Sequence, residues 1–93
     1  MKVRVKLTIE DRNIDEVMEA PDAATLLAKA KDRVAKELGW KGFFLKALTP
    51  VQFAQEAVKR FNEATGNNHP LPASAEEFLE FGKSTGYLTV LEP

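Results

Sequence analysis

The chain contains no cysteine. That one absence excludes disulfide staples, thiolate metal sites and cysteine nucleophiles together. Histidine occurs once, at His69, so no pair of imidazoles exists to hold a transition metal. Serine occurs twice, as Ser74 and Ser84, and neither sits in the Gly-x-Ser-x-Gly setting of an acyl-transfer nucleophile. No apolar run approaches the length of a membrane-spanning helix. The N-terminus alternates Lys and Arg with Val and Leu, unlike the apolar stretch of a secretory signal. No membrane association is therefore expected, and the cytoplasm is the default compartment. An excess of one charge is also missing. Thirteen basic and 14 acidic side chains leave a net charge of −1, whereas proteins built on phosphate contacts carry a basic surplus. Gly39-Trp40-Lys41-Gly42 lacks the length and the Lys-Ser/Thr ending of a phosphate-binding loop. No cofactor is implied by any motif.

What remains is ordinary globular composition. With 44% hydrophobic and 29% charged residues over 93 positions, residues 1–93 are expected to form a single soluble domain with one modest core. Val3, Val5, Leu7 and Ile9 alternate with Lys2, Arg4, Lys6 and Thr8, the period-two signature of a half-buried strand. Asp11-Arg12-Asn13 has turn chemistry. Residues 14–20 fit either a short helix or a strand, and a hairpin with the first strand is preferred because Pro21 leaves so short a helix little stability.

Asp22 is a good N-cap for a helix over 23–38, with Ala23, Leu27, Ala30, Val34 and Leu38 as its apolar stripe, Leu26 widening it, and Gly39 as its stop. The apolar run 43–48 reads as a third strand bounded by Gly42 and Pro50. Thr49-Pro50-Val51-Gln52 is a capping box with proline at the first helical position, opening a helix that Gly66 stops. Ser74 and Glu77 form a second cap pair for a helix over 75–84, and 87–91 reads as a closing strand.

The expected class is α+β: a small two-layer domain of order β-β-α-β-α-α-β, with a mixed or antiparallel sheet and helices mainly on one face. The second and third strands would then be parallel across a right-handed crossover. The order resembles a ferredoxin-like one with an added helix, a similarity of architecture that implies no activity.

Three groups of residues invite functional reading. Residues 39–44 gather three of the eight aromatic side chains, and Trp40, Phe43 and Phe44 beside a loop are the kind of anchor that partner recognition uses. Packing of Trp40 back onto the preceding helix is the competing account. Arg4 and Lys6, with Lys2, lie on the wet face of the first strand. If Phe44, Lys46 or Tyr87 shared that face, stacking and phosphate attraction would combine as they do in RNA-binding sheets. Alternating charge on an exposed strand face also simply keeps a sheet soluble. The acidic clusters Asp15/Glu16/Glu19 and Glu76/Glu77/Glu80 could serve acid–base or cation chemistry, although Glu76 and Glu77 are accounted for by the dipole of the helix they begin.

A non-enzymatic protein-interaction module, self-associating as a homo-oligomer or docking on a protein partner, is the function these features favour. A single-stranded nucleic-acid binder using Arg4 and Lys6 is the alternative, and a small enzyme or enzyme accessory subunit, resting on His69 and the acidic clusters, is the third. The first draws on the third and fourth strands, apolar at positions of both parities, which implies cover on both faces.

Overall fold

Alternation of valine and leucine with lysine and arginine makes β1 (Lys2–Ile9), and the chain returns along it as β2 (Arg12–Glu19). The computed structural model describes residues 1–9 and 12–92, with the side chains of Thr8, Ile9, Arg12, Trp40 and Lys41 outside that description. β1 and β2 pair antiparallel, placing Val3 opposite Met18, Val5 opposite Glu16 and Leu7 opposite Ile14. β3 (Leu88–Glu92) pairs antiparallel with the other side of β1, so the sheet runs β2-β1-β3 with the N-terminal strand at its centre.

Four helical segments join β2 to β3. α1 (Ala23–Leu38) begins at Asp22, whose carboxylate accepts the Thr25 N–H at 2.7 Å. The same bond holds the Asp22 carboxyl below its ordinary pKa. A 3₁₀ turn (Gly39–Gly42) and a single helical turn, α2 (Phe43–Lys46), follow. α3 (Pro50–Thr65) opens on a complete capping box: Thr49 Oγ1 accepts the Gln52 N–H at 3.1 Å, and Gln52 Oε1 accepts the Thr49 N–H at 2.9 Å. α4 (Ala75–Thr85) is capped by Ser74, which accepts the Glu77 N–H. Glu77 does not reach back to the cap residue and accepts the Ala73 N–H instead.

The helices pack on the Val3/Val5 face of the sheet. Their contributions to the core are Leu26 and Leu27 from α1, Phe53 and Ala54 from α3, and Ala75 and Leu79 from α4. Polar contacts tie β2 to this layer, among them the Lys29 ammonium donating to the Glu19 carbonyl at 2.7 Å. Arg33 of α1 donates to Glu16 of β2 at 2.6 Å and to Glu37 at 2.8 Å. Those two hydrogen bonds, Glu37 first, raise the Arg33 pKa above its ordinary value.

The α+β class and the antiparallel sheet with helices on one side are as the sequence leads one to expect, and residues 14–20 are indeed strand through Glu19. Three expectations need correction. The run 43–48 is not a strand. The 3₁₀ turn leads straight into α2, with the backbone seated against α1, and the parallel crossover and ferredoxin-like order lapse with that strand. An apolar run of six has no periodicity that separates helix from strand. Arg12 and Asn13 belong to β2 and not to a turn, while Asp11 of that turn lies outside the described residues. The stripe of α1 is buried at Ala23, Leu26 and Leu27 as inferred, with Val34 partly buried against the core, but Ala35, outside the inferred stripe, is buried too, and Ala30 and Leu38 are partly exposed.

Candidate functional site

The aromatic and basic residues singled out from the sequence fall on two separate surfaces, and His69 with Glu77 and Glu80 on a third. The first is the corner between α1 and α3. Gly39 ends α1 at φ 62°, ψ −130°, a conformation that side chains other than glycine's rarely tolerate. The chain then doubles back so closely that a Cβ on Gly42 would collide with the Ala35 carbonyl oxygen. Leu45 packs against the core, and the Lys31 ammonium donates to the Leu48 carbonyl at 2.7 Å. The corner is therefore fixed at its start, its middle and its end.

Phe43 and Phe44 stand on this fixed corner 73% and 74% exposed, the largest exposures among the big apolar residues described. Lys36 and Lys46, both exposed, accompany them at the ends of α1 and α2. Trp40 belongs to the 3₁₀ turn, but its side chain lies outside the described residues, so the anchor role inferred for it has no geometry to support it.

The second surface is the open face of the sheet. Arg4 makes a two-pronged bond to Asp15 on the neighbouring strand, Nε to Oδ1 at 2.9 Å and Nη2 to Oδ2 at 2.8 Å. This bond raises the Arg4 pKa and lowers that of Asp15, with Lys6 adding a smaller pull on the carboxylate. Lys6 lies opposite Asp15 in register and Lys2 opposite Glu19. The cations inferred from the sequence thus face carboxylates across the ladder. Phe44 and Lys46 are not in the sheet at all, and Tyr87 sets its ring edge-on to Phe61 at 5.6 Å. The aromatic half of a stacking surface is not assembled around Arg4 and Lys6.

A groove that sequence reasoning missed runs beside α4. Its walls include His69, Pro70, Pro72, Glu77, Glu80 and Phe81, and its volume is about 390 Å³. The His69 ring meets both Phe61 and Phe81, with centroids 5.4 and 5.3 Å away, and those two rings lie 5.2 Å from each other. Asn62 holds the loop in place through both backbone groups of His69, at 2.9 and 3.0 Å. Gln55 holds the Pro72 carbonyl at 3.0 Å. His69 is thus a packing element of an aromatic cluster and not merely a polar loop residue. The signal available in the sequence was the aromatic spacing of Phe78 and Phe81 near Pro70 and Pro72, too diffuse to identify a groove.

Among the described residues, no group of three or more His, Asp or Glu side chains is arranged to hold a metal ion, and no helix is long and apolar enough to cross a membrane. No family model, curated protein or solved structure matches this chain.

Proposed function

We propose that the protein is a non-enzymatic interaction module that self-associates through the corner bearing Phe43 and Phe44. The supporting observation is the combination of two adjacent, exposed phenylalanines with a backbone packed closely on α1. Binding through a loop that must also order its backbone costs more than binding through one whose backbone is already packed, where only the exposed rings lose freedom. The apolar pattern of the strands offers less support than it did in the sequence. Residues 43–48 are helical, and in β3 the partly buried Leu88 and Val90 alternate with the exposed Thr89 and Leu91.

Magnitudes set the expected strength. Two phenylalanine side chains exposed to this degree offer on the order of 200–350 Å². At about 25 cal/mol per Å² their burial supplies roughly 5–9 kcal/mol before any cost. Association itself costs about 4–15 kcal/mol. The corner alone therefore supports weak association, and a stable oligomer needs a partner surface that adds contacts around it. Sedimentation velocity between 10 micromolar and 1 millimolar, roughly the range where such contacts saturate, tests this. The wild-type protein should shift to larger species with concentration. Phe43→Ser/Phe44→Ser should remain monomeric with a nearly unchanged melting midpoint, since both side chains are exposed. A wild-type protein that is monomeric throughout refutes the proposal.

A further inference from the structure

With self-association through the corner as the premise, we infer that the corner's counterpart is the groove beside α4 of a second copy, so that the chains join head to tail. Two surfaces of the molecule complement one another. The corner is exposed, aromatic and accompanied along the chain by the exposed cations Lys36 and Lys46. The groove is concave, lined by Pro70, Pro72, His69 and Phe81, and edged by Glu77 and Glu80. Aromatic rings pack well on proline and on the edges of other rings, and a carboxylate rim receives lysines.

The corner is poorly suited to pair with itself. A second corner contributes the same exposed lysines, Lys36 and Lys46, and so adds no charge complementarity. The groove likewise gains none from its own image, its edge being Glu77 and Glu80. Opposite signs meet when corner and groove belong to different surfaces. Glu80 is bonded to Lys83 at 2.7 Å in the isolated chain, but its side chain is 72% exposed. An exposed bridge of this kind exchanges at little cost for a lysine of the second copy. The groove itself is preformed, since Asn62 and Gln55 hold its loop wall through backbone atoms.

A contact between two different surfaces leaves one of each unused at the ends of any open assembly, so the chains extend or close into a ring. Complementary variants can therefore separate head-to-tail joining from self-association as such. The corner variant is Phe43→Ser/Phe44→Ser. The groove variant is Glu77→Gln/Glu80→Lys, in which glutamine keeps the oxygen that accepts the Ala73 N–H. Circular dichroism and melting establish that each is folded, and Glu80→Lys alone replaces the double variant should that one unfold.

Each variant alone should associate at least tenfold more weakly than the wild-type protein. Mixed in equal amounts, they should form a one-to-one dimer that grows no further, because the sound groove of the first receives the sound corner of the second. A groove variant that associates as the wild-type protein does would overturn the inference while leaving the corner's role intact. So would a mixture that stays monomeric, since a two-fold contact cannot be rescued by mixing. A monomeric wild-type protein would remove the underlying proposal itself.

Discussion

Replacing Gly42 by alanine sets two effects of opposite sign against each other. Gly42 has φ −73° and ψ −6°, an ordinary right-handed helical conformation. Alanine is at ease there, and by restricting the unfolded chain it should stabilise the protein by about 0.4–1 kcal/mol. The surroundings give the other answer. The new Cβ would collide with the Ala35 oxygen and stand 2.7 Å from its Cα and 2.8 Å from its carbonyl carbon. All three are main-chain atoms of a helix and cannot rotate aside. Ordinary contact begins near 3.4 Å, so the corner must retreat. Overpacking of this kind costs about 1–3 kcal/mol and sometimes more, and an immovable neighbour places the cost at the upper end. The net expectation is a loss of about 1–3 kcal/mol. For a domain of this size that is a fall in melting temperature of roughly 4–8 °C per kcal/mol. Urea titration followed by circular dichroism reads the same loss as a lower midpoint at unchanged slope. A midpoint equal to or above that of the wild-type protein would show that the backbone of the corner does not lie against Ala35, and with it the rigidity attributed to Phe43 and Phe44 would go.

Thr49→Ala should cost about 1 kcal/mol in the same titration, because the Gln52 N–H loses its acceptor; a change within a few tenths would place the start of α3 elsewhere. Leu27→Ala, at 1% exposure, should cost about 2–5 kcal/mol, and a loss below 1 kcal/mol would contradict its burial. Gly82→Ala should also destabilise, since the added Cβ would lie 2.9 Å from the Leu88 Cβ; a neutral result would mean that β3 sits farther from α4. Carboxyl resonances of Asp15 and Asp22 should titrate below the ordinary aspartate range, and Arg4→Ala should return Asp15 alone toward it. Because both folded values are depressed, the stability these groups contribute is whole above the unfolded pKa, about 3.9, and is lost as pH falls through the folded values. An Asp15 titration unmoved by Arg4→Ala would refute the pairing.

Features written in consecutive residues were legible in the sequence. Thr49 to Gln52 names its own cap, Asp22 its helix start, and residues 2–9 their strand, because each depends on neighbours within a few positions. The run 43–48 was not legible for the opposite reason. Its state is decided by Gly42 meeting Ala35, seven positions earlier and a turn of chain away. The prominence of the Phe43/Phe44 segment was visible as composition, but its exposure and rigidity were not. The pairing of Arg4 with Asp15 required the register of β1 on β2, which no local pattern supplies. The groove needed the loop after α3 to be laid against α4, an arrangement made by Asn62 and Gln55 through backbone atoms that carry no sequence identity.

The position of β1 at the centre of the sheet has a consequence for synthesis on the ribosome. β1 is made first among the described strands and β3 last, yet the two are partners. At roughly 5–20 residues per second, the interval between their emergence is on the order of 4–16 s. Throughout it, one side of β1 offers backbone donors and acceptors with nothing to receive them, beside the valines destined for the core. A nascent strand in that condition can join those on neighbouring polysomes. Lys2, Arg4 and Lys6 interrupt its apolar residues at every second position, and charges so placed repel identical strands. The alternation that orients β1 in the finished sheet thus also guards the unfinished chain while it waits for its last partner.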